Sequence, residues 1–362
     1  MILYFCFKII IARNKSKNIN FALSDMKPKE VTIYDIAERL NIAASTVSRG
    51  LKGHSSVSLQ TQKKIADTAE EMGYRSNNFA VNLRTKTTNT IGVILPRLNS
   101  SFVASVIAGI EKVSNNKGYN LIITQSLESR EKEIRNVKTM FSNRVDGLLV
   151  SLSEDTKDIS HFDVFFRKNI PVLFFDRVPD DKSVASVFIN NEEAGYLITK
   201  HLISKGAKRI VHISGNQEIN VYEDRFKGYL RALQESNIIF DEKCLIITDL
   251  GEETGKETAK VIVEMQADGV FAANDISAAT CMNELKRLGY RVPEDILVAG
   301  FNNDVISRNV SPPLTTVDNP GMLIGEIAAK SMVDHLENQI NLHTTSGIIL
   351  KSDLIVREST DR

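Results

Sequence analysis

The stretch Val31–Leu51, VTIYDIAERLNIAASTVSRGL, decides how the chain is read. Its apolar residues fall at helical spacing twice: Ile33, Ile36 and Ala37 make one face, and Val47, Gly50 and Leu51 make another. Leu40-Asn41-Ile42-Ala43 separates them, and asparagine tolerates the left-handed backbone that a tight inter-helix turn needs. Two short helices joined in this way, the second carrying small hydroxyl residues and one arginine, read as a helix-turn-helix. Ala44, Ser45, Thr46, Ser48 and Arg49 would then meet a DNA major groove. Arginine can pair there with guanine O6 and N7, and a methyl such as that of Ala44 can touch a thymine methyl. An ordinary helical hairpin with a polar outer face would show the same spacing.

Downstream, Ser58 stands as an N-cap before a helix whose Ile65, Ala69 and Met72 share one face and which Gly73 ends. This third helix closes a small head. Asn77 to Leu83, NNFAVNL, is too short for a stable helix alone and could fold only against DNA or a partner chain. Arg84 to Thr90 is a polar tether. Upstream, the apolar opening MILYFCFKIII precedes the basic run Ala12–Lys17, the reverse of a secretory signal, and is too short to span a bilayer. The expectation is a mis-assigned start, with Met26 as the true beginning and residues 1–25 non-native or disordered.

From Ile91 the rhythm changes to apolar strands separated by helices: IGVIL, YNLIIT, GLLV, PVLFF and SVFI, then RIVHI, LIIT, GVFAA and ILVAG. Such alternation predicts an α/β body with two doubly wound parallel-sheet lobes. Ligands in such folds sit beyond the carboxyl ends of strands, so a cleft between the lobes is expected. The residues at those ends are Asp176-Arg177, Asn274-Asp275 and Asn302-Asn303-Asp304, with Arg225 at a polar helix start after RIVHI. Groups that donate and accept in pairs suit sugar hydroxyls; Asp and Asn there could equally cap the next helices.

At 362 residues the chain suits two or three domains, with 42% apolar and 25% charged residues, an ordinary globular balance. Its zero net charge is uneven. Residues 26–90 hold ten Lys/Arg against six Asp/Glu, residues 1–25 carry +3, and the remainder carries −7. A basic head on an acidic body fits a DNA-binding module joined to a ligand-binding one. Cys6, Cys244 and Cys281 are too scattered for a disulfide framework, which points to a reducing, cytoplasmic setting. The dispersed histidines form no metal motif, so neither a metal nor a cofactor is expected.

Taken together, the motifs resemble those of the LacI–GalR family of transcriptional regulators from Val31 to about Arg357. The resemblance rests on the opening stretch, the hinge NNFAVNL, RVDGLLV (144–150), PVLFFDR (171–177), DRFKGY (224–229), AAND (272–275), RVPEDILVAGFNN (291–303) and PPLTTVDNP (312–320). It implies a three-helix head with a hinge helix, then a periplasmic-binding-protein-like body. The expected divisions are 26–75 for the head, 76–90 for hinge and linker, 91–190 plus 319–347 for one lobe, and 191–318 plus 348–358 for the other.

Functionally, it implies a homodimeric repressor on a near-palindromic double-stranded DNA operator, controlled by a small-molecule effector, expected to be a carbohydrate. DNA contacts would come from Thr32, Tyr34, Ala44, Ser45 and Arg49, with Thr46 and Ser48 holding phosphates. Leu83 matches a leucine that wedges into the central base step from the minor groove, and Asn77 and Ala80 match its neighbours. Asp176, Arg225 and Asn274 match sugar-contacting positions, with Asp275 adjacent. Asn302 replaces a frequent Asp, exchanging an acceptor for a group that also donates. Phe102 matches an aromatic of the cleft, with core packing an equal reading. Two departures stand out: Ala43 replaces the usual Ser or Thr cap, and Ser76 replaces the proline before the hinge.

Two other classes fit less well. A transport-type sugar-binding protein needs export, and a helix-turn-helix stands where its signal would end. A nucleotide-dependent dehydrogenase needs a G-x-G-x-x-G or P-loop after a strand, and none is present, nor any nucleophile with a base partner. No enzyme activity is expected.

Overall fold

The computed structural model describes residues 30–74, 87–181 and 183–362, which fall into two compact units on either side of Arg84. The head holds α1 (Ile33–Leu40), α2 (Ala44–Leu51) and α3 (Leu59–Glu71). Thr32 stands at the α1 N-cap, where its hydroxyl and backbone N–H both donate to the Asp35 carboxylate, at 2.6 and 2.7 Å. Asn41 ends α1 at φ 49°, the left-handed turn its side chain tolerates. Ala43 gives α2 no side-chain cap, whereas the Ser58 hydroxyl accepts from the Thr61 N–H at 3.3 Å. Ile36, Ala37, Val47, Val57, Ile65 and Ala69 form the head core. Leu51, expected on the buried face, is instead exposed, because Gly50 turns toward α3 and lies directly under Ile65.

The body begins with β1 (Thr90–Leu95), α4 (Ser101–Asn116), β2 (Asn120–Gln125), α5 (Arg130–Ser142), β3 (Gly147–Val150), α6 (Asp163–Phe166), β4 (Val172–Phe175) and β5 (Ala185–Ile189). It continues with α7 (Asn191–Ser204), β6 (Ile210–Ser214), α8 (Asn220–Glu235), β7 (Leu245–Ile247), α9 (Glu252–Glu264), β8 (Gly269–Ala272) and α10 (Asp275–Arg287). Then come β9 (Leu297–Asn302), α11 (Val305–Asn309), β10 (Thr315–Asp318), α12 (Gly321–Leu336), β11 (Ile348–Leu350) and β12 (Leu354–Ile355). One sheet has the order β11-β5-β4-β3-β1-β2 and is parallel throughout. The other has the order β12-β10-β9-β8-β6-β7 and is parallel except where β12 meets β10. Strands buried on both faces, such as VLFF and GVFA, follow from helices covering each sheet.

Two expectations need correction. Residues 348–350 were placed with the second lobe, but Ile348 pairs with Val187 and Leu350 with Ile189, so β11 belongs to the first sheet. The chain therefore passes between the lobes three times, after β5, after β10 and after β11. Thr315–Asp318, not anticipated as a strand, pairs with β9 along its whole length.

Glycines let the covering helices touch backbone to backbone. A Cβ on Gly228 of α8 would lie 2.0 Å from the Glu192 carbonyl oxygen of α7, and one on Gly195 would lie 2.2 Å from that of Arg225. Gly109 and Gly325 do the same between α4 and α12, each 2.1 Å from a facing carbonyl. Neither backbone can move aside. Gly228→Ala should therefore cost roughly 2–3 kcal/mol in urea unfolding of the body. Gly50→Ala meets only the rotatable Cδ1 of Ile65, at 2.4 Å, and gains about 1 kcal/mol of helix propensity, so it should stay within about 1 kcal/mol of the parent.

Candidate effector cleft and nucleic-acid interface

Both sheets end at carboxyl edges rich in polar groups. Arg225, in the second turn of α8, is 3% exposed and held on three sides. Its Nε donates to Asn191 Oδ1 and its Nη1 to the Ala273 carbonyl, both at 2.9 Å, and its guanidinium lies 3.6 Å over the Phe301 ring. Burial lowers its pKa to about 10, partly opposed by Tyr222 and Asp176. Asp176 follows β4 in a left-handed conformation, φ 58°. Burial pushes its carboxyl up, while Arg177 and Arg225 pull it down. Among the described residues none donates a hydrogen bond to that carboxylate. A fixed donor on one lobe and an acceptor without a hydrogen-bond donor on the other thus lie near enough for each charge to act on the other.

The remaining expected residues divide in two. Asn302, at the end of β9 with φ 103°, accepts from Asn319 Nδ2 at 3.3 Å beside the second crossover. Asn274 caps α10, accepting from the Ser277 N–H at 2.8 Å and donating to the Leu250 carbonyl at 2.9 Å. Asp275 is fully buried: its two oxygens accept from the Thr316 hydroxyl and the Asp304 N–H, both at 2.7 Å, so it ties α10 to β10 and to the loop before α11. Phe102 is 8% exposed and packs into the core at the first turn of α4, beside Gly321.

Arg177, noted at the strand end beside Asp176, donates to Glu128 at 2.7 Å. Two further residues were missed: Tyr222 lies against Gly215, and Asn191 orients Arg225. Asn191 stands two positions past the strand SVFI, after Asn190, so a search of the residues just beyond each strand end, which marked Asp176 and Asn274, could have found it. Ser151 Oγ, Gln217 Oε1 and Asn319 Oδ1 are buried at or near strand ends with no hydrogen-bond partner among the described residues. Buried polar atoms are rarely left so, and here they suit a polar ligand.

In the head, Ser45 and Arg49 are exposed on one face of α2, where Arg49 Nε donates to the Ser45 carbonyl at 3.2 Å. Ala44, Thr46 and Ser48 are half-buried beside them, and Tyr34 is 71% exposed. Thr32 is the α1 cap. Asn77, Ala80 and Leu83 lie outside the described residues. Among the described residues no group of three or more His, Cys, Asp or Glu could hold a metal ion, and no helix is long and apolar enough to cross a membrane.

Comparison with known proteins matches residues 32–77 to the model for bacterial regulatory proteins of the lacI family, and 199–360 to a periplasmic binding protein-like domain. The HTH-type transcriptional repressor PurR of Vibrio atlanticus (strain LGP32) is 32% identical over 310 residues, covering 85% of this chain and 92% of that protein. Among solved structures, the transcriptional regulator CelR–cellobiose complex has a TM-score of 0.69 at 25% identity, covering 91% of this chain and 100% of its own. The Lac repressor bound to ONPG in the repressed state has a TM-score of 0.80 at 25% identity, with the same coverages.

Burial raises the Asp275 carboxyl to about 7, against the lowering effect of its two hydrogen bonds. The folded chain then holds this proton more tightly than the unfolded chain, so stability falls as pH rises from the usual carboxylate range toward 7. Asp275→Asn can accept from the Asp304 N–H through its oxygen and donate its NH2 to the Thr316 hydroxyl oxygen, a reversal of that bond, without titrating. It should unfold in urea like the parent near pH 4 but exceed it at pH 8 by about 1–3 kcal/mol; equal stability at pH 8 would place the ionised carboxylate at no cost.

Proposed function

The chain belongs to the lacI family of bacterial regulatory proteins, and we propose that it is a cytoplasmic, homodimeric repressor controlled by a carbohydrate bound between its lobes. The head, residues 26–75, reads DNA through Ala44, Ser45 and Arg49. Thr32, Tyr34, Thr46 and Ser48 hold the backbone, and Asn77, Ala80 and Leu83 act at the centre of a near-palindromic operator. The exposure of Ser45 and Arg49 on one face of α2 supports this reading.

For the effector, the carrying observation is the opposition of Arg225 and Asp176. A sugar hydroxyl can donate to the carboxylate while accepting from the guanidinium, which neither an apolar ligand nor a simple anion does. Asn274 and Asn302 flank this pair with groups that both donate and accept. The Phe301 face is already covered by Arg225, leaving less room there for a flat base to stack. Effector binding changes lobe closure and thereby operator affinity, a coupling that is reciprocal by linkage.

Thermal unfolding across neutral sugars, sugar phosphates, nucleobases and nucleosides tests the effector class. A ligand at about 100 times its dissociation constant adds roughly 2.7 kcal/mol, and that shift should come from a neutral sugar and vanish in Asp176→Asn. A nucleobase as the sole hit would overturn the carbohydrate reading. For the hinge, Leu83→Ala should weaken binding to an operator selected from random duplexes while leaving salt-sensitive nonspecific binding intact. Equal loss of both would remove the wedge role.

A further inference from the structure

Around the start of α8, residues 218–222 reach the other lobe through side-chain contacts. The Val178 N–H, just past β4, donates to Asn220 Oδ1 at 3.3 Å. Arg177 stands over the Tyr222 ring, 5.8 Å from its centroid. Lys157 pairs with Glu218 at 3.0 Å. One helical turn beyond Tyr222 lies Arg225, whose guanidinium is 5.7 Å from the same ring. Tyr222 therefore shares its ring with one guanidinium from each lobe.

We propose that Arg177 and Tyr222 form a closure clamp, a pair of positioning residues that hold the lobes together over Arg225 and Asp176. Each partner is fixed from its own side. Arg177 Nη1 donates to Glu128 Oε2 at 2.7 Å, with side chains 13% and 12% exposed, and Glu128 also accepts from the Glu154 N–H at 3.2 Å and pairs with Arg97 at 3.3 Å. Tyr222 is seated on Gly215, where a Cβ would come within 2.5 Å of its Cε2. The Lys157–Glu218 pair does not carry the contact: its side chains are 73% and 57% exposed, and salt screens such pairs. A guanidinium over an aromatic face, shielded from solvent, survives salt better. Because Tyr222 and Arg225 lie on one face of α8 at i, i+3, a ligand that engages Arg225 acts directly on the clamp. This consequence rests on the effector reading above; the clamp itself does not.

Hydrogen exchange at the Val178 amide reads the clamp in the full chain without any ligand, because its partner, Asn220, belongs to the other lobe. Tyr222→Ala should speed exchange there roughly five- to tenfold, the factor such a contact supplies, with amides of β3 and β4 unchanged. Gly215→Ala, which unseats the ring without removing it, should do the same. Arg177→Lys keeps the charge near Glu128 but loses the flat guanidinium, and should fall between. Tyr222→Phe should match the parent, and 0.5 M salt should leave the parent's exchange unchanged. If Tyr222→Ala proves unfolded, with β3 and β4 exchanging too, Gly215→Ala and Arg177→Lys decide the matter. Unchanged Val178 exchange in the folded variants, or opening of the parent by salt alone, overturns the proposal. A sugar panel without a hit would sink the effector assignment and leave this result standing.

Discussion

Backbone touches backbone where α7 crosses α8, and the geometry of the cleft depends on it. Gly195 and Gly228 remove the side chains that would separate the helices, so α8 lies as close to α7 as main chains allow. That closeness brings Arg225 within reach of Asn191, the first residue of α7. It also fixes the direction in which Arg225 leaves the helix, onto Phe301 and the Ala273 carbonyl. Gly109 and Gly325 repeat the arrangement between α4 and α12 in the other lobe. Each lobe therefore presents its strand ends on a scaffold with little freedom to slide.

Arg225 also shows how a buried charge is tolerated here. Two hydrogen bonds and an aromatic face replace most of its hydration, at a cost visible in its lowered pKa. Asp176 answers it from the other lobe without contacting it as an ion pair. A closed Asp–Arg pair would have satisfied both groups and left nothing for a ligand. Held apart, the two remain available to one.

Much of this was legible from local chemistry. The left-handed turn at Asn41, the Ser58 cap and the alternation of apolar strands with helices depend on neighbours a few residues away. What escaped depends on pairing at a distance. TTVD carries two threonines and an aspartate, and becomes strand β10 only because β9 and β12 flank it. The three residues of β11 take their lobe from β5, some 160 positions earlier. Asp275 stands at a strand end like Asn274, yet Thr316 and the Asp304 N–H close over it from later in the chain. Arg177 was visible beside Asp176, but its partners Glu128 and Tyr222 lie tens of residues away on either side.

The triple passage of the chain between the lobes has a consequence for how strong their contacts need to be. Three covalent links hold each lobe at a very high effective concentration for the other, so meeting costs little translational entropy. A single cation–π contact and one hydrogen bond, too weak to join separate molecules, can then decide the balance between open and closed. A balance set by so small a margin can be tipped by a ligand no larger than a sugar, whose differential affinity need only match it.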